Sequence, residues 1–305
     1  MNTTLAAAGK WRKLAGFTFV AIAFAFLAIF LSANLRELQQ HRWTIRPGLL
    51  ALSFAIQIIG LASGALAWQL LLRGMGTRVP FAPLARVRFV SGLARYIPGK
   101  IWPFIGAARL GAPFGIPAAV TITSLAAHTV FSIIGALIIS VYFLPLSAVP
   151  GMQLELLRWL APLLLLLAHP MVIAMALQLI SRLTRRHIAA WTGSWLDGLW
   201  LVAVAMIGWI ITGVALVTFI LSVTPLPTAA FTAVIGVNAF AFVLGQAFFI
   251  TPAGLGAKEG TTAALLALYV SVPVAALLAV GVRLWTTISE VIIALALVHW
   301  RKPNA

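Results

Sequence analysis

FITPAGLGAKEG, residues 249–260, is a glycine-interrupted turn between an apolar run that ends near Ile250 and another that begins at about Thr261. Pro252 ends the preceding helix, and Gly254 and Gly256 permit close approach or left-handed backbone angles before a new helix starts around Ala257. Lys258 and Glu259 then fall in the first turn of that helix. Exposed amides at a helix start, with a lysine beside them, form an anion site if the turn lies in or near the bilayer. Read without function, the same stretch is a tight interhelical loop with a cytoplasmic lysine.

Composition places the turn in a membrane protein. Of 305 residues, 62% are apolar and 9% are charged, and the mean hydropathy is +1.07. A soluble domain carries roughly a quarter charged residues, so residues 1–305 form a single transmembrane domain of an all-α polytopic membrane protein. No segment is long enough for a soluble catalytic domain. Twenty-one Lys and Arg stand against five acidic residues, for a net charge of +16. These charges flank apolar runs, the pattern of membrane orientation and of contact with anionic headgroups, so nucleic acid is not the expected partner. The chain has no cysteine, which excludes disulfides and thiolate chemistry.

Eight spans are expected, with one or two re-entrant or broken helices. They are residues 14–31, 48–72 (opened by Pro47), 117–143, 156–180 (kinked before Pro170), 197–221, 228–250, 257–272 and 274–298. The first follows Lys10, Arg12 and Lys13 and is read as a retained helix because it is long for a signal sequence. The seventh is short and crosses only in part on the alternative reading. Gly60 and Gly64 in the second span mark close helix packing. An N-terminus on the cytoplasmic face of the inner membrane puts the basic segments 73–109 and 182–187 inside, together with the C-terminus.

Two further regions carry candidate chemistry. Residues 73–111 hold Arg73, Arg78, Arg86, Arg88, Arg95, Lys100 and Arg109 with no acidic residue, so their charges must face water, lipid phosphates or a bound anion. The chain breaks at RYIPGK, residues 95–100, and the apolar stretch 101–110 is too short to cross, which suits a re-entrant helix or a cytoplasmic amphipathic loop. His128 lies near the middle of the third span, either in a functional role or bonded to a neighbouring helix. In the last span Arg283 and Glu290 lie seven residues apart on one face, with Thr286 and Thr287 between them, so they line a cavity or form a structural network. An internal echo links Pro98, Pro117 and His128 to Pro252, Pro273 and Arg283, at intervals of 19 and 21 positions from proline to proline. Repeats built on broken helices are the usual frame of transporter sites, although the echo alone gives no handedness.

The pair RYIPGKIW (residues 95–102) and TPAGLGAKEG (residues 251–260) resembles the transmembrane domain of lysylphosphatidylglycerol synthases and related standalone membrane proteins, over roughly residues 14–298. The resemblance implies a flippase-like domain that moves lipids across the cytoplasmic membrane. It places the family's glycine turn on Ala253, Gly254, Leu255 and Gly256, and its basic–acidic pair on Lys258 and Glu259. Ala253 replaces the usual glycine and Lys258 the usual arginine, so an ammonium replaces a bidentate guanidinium. No synthase domain accompanies the motifs, so aminoacyl transfer is not expected. The leading expectation is translocation of an anionic phospholipid or polyprenyl-phosphate lipid, with Arg95, Lys100, Arg109, His128, Gly254, Gly256, Lys258, Glu259, Arg283 and Glu290 at the site. No cofactor or metal is expected, and no phosphate-loop motif is present. The alternatives are a membrane enzyme acting on a lipid, with His128 or Glu290 as base, and an accessory subunit partnering a lipid-modifying enzyme. No catalytic constellation supports the enzyme.

Overall fold

The computed structural model describes residues 29–30, 32–97, 101–145, 155–184, 190–247, 254 and 256–298. Among them every regular element is helical. In chain order these are α1 (Leu35–Gln40), α2 (Pro47–Gly74), α3 (Phe81–Gly92), α4 (Trp102–Gly111), α5 (Ala118–Phe143), α6 (Glu155–Leu160), α7 (Pro170–Thr184), α8 (Trp195–Val223), α9 (Ala230–Ala247), α10 (Ala257–Leu266) and α11 (Val272–Val298). Short 3-10 helices cover Leu93–Tyr96, Ala112–Phe114 and Ala161–Ala168.

Local chemistry sets the boundaries. Pro47 opens α2 at the position where its missing N–H is least felt. Ser194 caps α8: its Oγ accepts from the Asp197 amide at 3.2 Å, and its own amide donates to Asp197 Oδ2 at 2.7 Å. Pro225 and Pro227 separate α8 from α9.

Helices α2, α5, α8, α9 and α11 are each long and apolar enough to cross a membrane. A sixth span is reached if residues 156–168 and 170–179 count as one, bent by 68° at His169. The expected count of eight is therefore not met among the described residues. The first expected span lies almost wholly outside them. The seventh is only α10, whose ten residues reach about 15 Å, half the hydrocarbon thickness. The kink expected before Pro170 is present.

Helices α2 and α8 form an antiparallel seam. At one end the Arg46 and Thr44 amides donate to Ser222 O (2.8 Å) and Val223 O (2.9 Å); at the other, the Thr192 amide donates to Gly74 O (3.0 Å). Lipid tails give no hydrophobic drive for helix pairing, so the seam depends on close backbone approach between small residues. A Cβ on Gly60 would lie 2.5 Å from Thr212 Cγ2, and one on Gly208 would overlap Ser63. Helix α11 runs parallel to α2: Trp285 packs on Phe54 with ring centroids 6.3 Å apart, and Ala294 clusters with Ala65.

Against this frame two hairpins enter from opposite ends, one made of the short helices α3 and α4, the other pairing the longer α9 with the short α10. Helix α3 rises from the Gly74 end beside α2, with Gln69 Nε2 donating to Val79 O at 2.7 Å and Arg88 reaching Gly64. Helix α4 returns to the same end, packing Gly106 on Ser91 and Gly111 on Ile116. Helix α9 descends from the Val223 end against α8, where Asn238 Nδ2 donates to Thr212 Oγ1 at 3.0 Å. Helix α10 turns back beside α9 and α11 toward the Val223 end, where α11 begins.

Candidate functional site

The tips of both hairpins meet halfway along α11. Arg283 and Glu290 are the twelfth and nineteenth of its 27 residues, one on each side of the helix midpoint. Seven residues are nearly two turns, so both side chains leave the same face.

Each charge on α11 holds a different hairpin. Glu290 Oε1 accepts from Arg95 Nη1 at 3.0 Å, and its Oε2 accepts from the Tyr96 hydroxyl at 2.9 Å. The same hydroxyl lies 3.1 Å from Thr287 Oγ1. Arg283 Nη1 is 3.4 Å from Glu259 Oε1 at the start of α10. The Arg283 guanidinium also lies 5.4 Å from the centre of the Tyr96 ring, within cation–π range. Tyr96 therefore touches both ion pairs and ties one hairpin tip to the other.

The exposures differ in a way that matters. Glu290, Arg283 and Glu259 retain 13%, 17% and 19% side-chain exposure, whereas Arg95 retains 43%. Arg95 is thus held at one face of the cluster with part of its guanidinium still open. The ammonium of half-buried Lys258 makes no hydrogen bond or ion pair with the other described residues, although Glu259 and Glu290 lie within electrostatic reach. Between α10 and α11 a cleft of about 10 Å³ is lined by Lys258, Glu259, Thr262, Ala279, Val282, Arg283 and Thr286. That volume holds about one water.

The glycine turn is built by close contact and is capped by its own acid. Gly254 has φ +71°, and a Cβ there would come within 2.9 Å of Gly245 Cα and O. Gly256 N donates to Glu259 Oε2 at 2.8 Å, so the carboxylate already satisfies that amide at the start of α10. A phosphate arriving at that amide competes with Glu259, which leaves the side-chain cations as the principal donors.

A second polar contact lies on the inner side of α3. Arg88 Nη2 is 3.5 Å from His128 Nδ1, and His128 also bonds the backbone of Gly64. Arg88 lies within electrostatic reach of Arg95 and Glu290. Arg88 also packs beside Gly64, where a Cβ would stand in ordinary contact, 3.9 Å from Nη2. Counted together, Arg88, Arg95, Lys258 and Arg283 set four cations against two carboxylates.

A sequence model of the family described as the lysylphosphatidylglycerol synthase transmembrane region matches residues 14–294. The chain belongs to this family. No curated protein matches the chain. In this lysylphosphatidylglycerol synthase transmembrane-region chain, the matched residues contain both hairpins and the whole Arg283–Glu290 face of α11. The protein is a multi-pass membrane protein of that family.

Of the residues singled out from sequence, Arg95, Lys258, Glu259, Arg283 and Glu290 come together, with Gly254 and Gly256 shaping the turn beside them. His128 stands behind Arg88 and not in the ion-pair cluster. Arg109 is exposed in the last turn of α4, at the far end of the hairpin from Arg95. Lys100 and the turn residues Ala253 and Leu255 lie outside the described residues. Tyr96 and Arg88 were not among the expected site residues. Tyr96 had a signal, being one of only three tyrosines and adjoining the RYIPGK break.

Proposed function

We propose that the protein translocates a lipid with an anionic phosphate head, a phospholipid or a polyprenyl phosphate, across the inner membrane, with the head passing the cluster at the hairpin tips. The observation that carries this reading is the meeting of two hairpin tips from opposite ends at a net-positive cluster halfway along α11. Broken helices that meet near the middle of a bundle supply a polar station without a continuous polar channel. Membership of the lysylphosphatidylglycerol synthase transmembrane-region family accords with a role in handling lipid.

The ion pairs supply a means of exchange. A phosphate that takes over Arg95 or Arg283 offers the oxygens that Glu290 or Glu259 now provide, so the cations change partner without losing one. The α10–α11 cleft holds about one water, so a head passes only when these helices separate. By the positive-inside rule we orient the Gly74 end toward the cytoplasm, since Arg73, Arg78, Arg109 and Arg182 belong to that end. Both termini are then cytoplasmic.

The test is transport of labelled lipids by purified protein in liposomes, comparing zwitterionic, anionic, aminoacylated and polyprenyl-phosphate heads. The expected result is movement of an anionic-headed lipid that slows about tenfold in Glu290→Gln. Equal rates for protein-free and protein-containing liposomes across all four heads would reject the function.

A further inference from the structure

Arg73 and Arg78 take no part in the cluster. They flank the turn between α2 and α3, where a cavity of about 550 Å³ is lined by Gln69, Arg73, Arg78, Val79 and Pro80. The volume is in the range of small-molecule sites, roughly 300–1,000 Å³. Both arginines are exposed, and neither guanidinium makes a hydrogen bond or ion pair with another described residue. The sequence has no Asp or Glu between Glu37 and Glu155. No acid adjacent in sequence therefore neutralises the pair, and neither arginine forms an ion pair among the described residues.

The cavity wall is held in place before any ligand arrives. Buried Gln69 donates to Val79 O at 2.7 Å, while the Gly76 and Thr77 amides donate to Arg73 O at 3.0 Å and Leu72 O at 2.9 Å. The apolar span of α2 ends at Gly74, and exposed Phe81 follows the turn, so the cavity opens at the level of the membrane surface. Val79 and Pro80 add an apolar wall beside two guanidinium groups. Such a surface suits a phosphate group attached to an apolar body.

We propose that this cavity is a second anion site, which binds the phosphate group of a ligand held at the membrane surface of the Gly74 end. It lies about 20 Å along α2 from the hairpin-tip cluster. Its occupation does not depend on transport; if the lipid-translocation reading holds, it is where the head is first held.

Arginine footprinting on the full chain in phosphatidylcholine nanodiscs tests this directly. Phenylglyoxal modification of Arg73 and Arg78 is followed by peptide mass spectrometry, with exposed Arg109 as reference at the same end. The probes are inorganic phosphate, dihexanoylphosphatidylglycerol and dihexanoylphosphatidylcholine. The expected result is at least fivefold slower modification of Arg73 and Arg78 with phosphate or phosphatidylglycerol, and an unchanged rate at Arg109. Protection by phosphate alone assigns the site to a free phosphate group; protection by phosphatidylglycerol alone assigns it to a lipid head. Protection should persist in Lys258→Ala, which separates this site from the cluster. No protection by either anion, or equal protection by phosphatidylcholine or at Arg109, overturns the proposal.

Discussion

The two hairpins use the same device with opposite chemistry. The α3–α4 hairpin brings cations only, Arg88 on α3 and Arg95 at its tip, and borrows its carboxylate from α11 through Glu290. The α9–α10 hairpin carries its own acid, Glu259, which caps the helix it starts and pairs with Arg283. Both hairpins are tied to α11, but the second supplies the acid of its own ion pair, whereas the basic one depends on α11 for its carboxylate. Helix α11 is the clasp between them, because one face holds a cation for one hairpin and an anion for the other.

The packing difference should give the largest effect. Gly254 is left-handed and abuts Gly245, whereas Gly115, with φ +75°, has open space where a Cβ would stand. Left-handed backbone costs a non-glycine residue about 1–2 kcal/mol, so Gly115→Ala should lose about that much in thermal unfolding. Gly254→Ala should lose more, since Gly245 backbone must shift as well. Equal losses would show that the second tip is not closely packed.

Next is the shared clasp. Glu290→Gln removes the acid on which the first hairpin depends, and initial transport rates should fall about tenfold, a loss moderated by the exposure of Arg95. Combining it with Arg95→Gln should cost little more than either change alone, because both break one interaction. Additive losses in that cycle would mean that the pair does not act as a unit.

Lys258 distinguishes the hairpins in a third way, as the cation of the second tip that lacks an ion-pair partner among the described residues. Lys258→Ala should slow movement of an anionic lipid about fivefold through loss of one charge at the cluster, and Lys258→Arg should be tolerated. An unchanged rate for Lys258→Ala at equal reconstituted protein would remove the residue from the site. Tyr96→Phe keeps the ring over Arg283 but removes the hydroxyl from Glu290 and Thr287. A loss of about twofold is expected, the equivalent of part of one hydrogen bond. A loss as large as that of Glu290→Gln would make Tyr96 the principal anchor of the first hairpin.

The comparison also separates what local sequence encodes from what packing decides. Breaks in the backbone are local, so the kink before Pro170, the short α10 and the non-crossing stretch after RYIPGK were legible from proline, glycine and length. The Arg283–Glu290 stripe was legible from helical spacing, whereas the pairing of Glu259 with Arg283 needed the fold. Entry of the hairpins from opposite ends was not legible, because it depends on which span each helix packs against. For the same reason Arg109 looked equivalent to Arg95, although α4 carries it back to the rim. Arg88 was visible as one of the cations of residues 73–111, but its contact with His128 required the fold.

The central claim, that both ends of each hairpin lie on one side of the membrane and the two hairpins lie on opposite sides, can be measured in a chain that naturally has no cysteine. Single substitutions at exposed Pro80, Ala112, Thr228 and Ser271 mark the four hairpin ends, and an impermeant maleimide is applied to sealed vesicles from either side. The expected result is that Pro80→Cys and Ala112→Cys label from one side only, and Thr228→Cys and Ser271→Cys from the other only. Labelling of Pro80→Cys and Ala112→Cys from opposite sides, or of Thr228→Cys and Ser271→Cys from opposite sides, would contradict it.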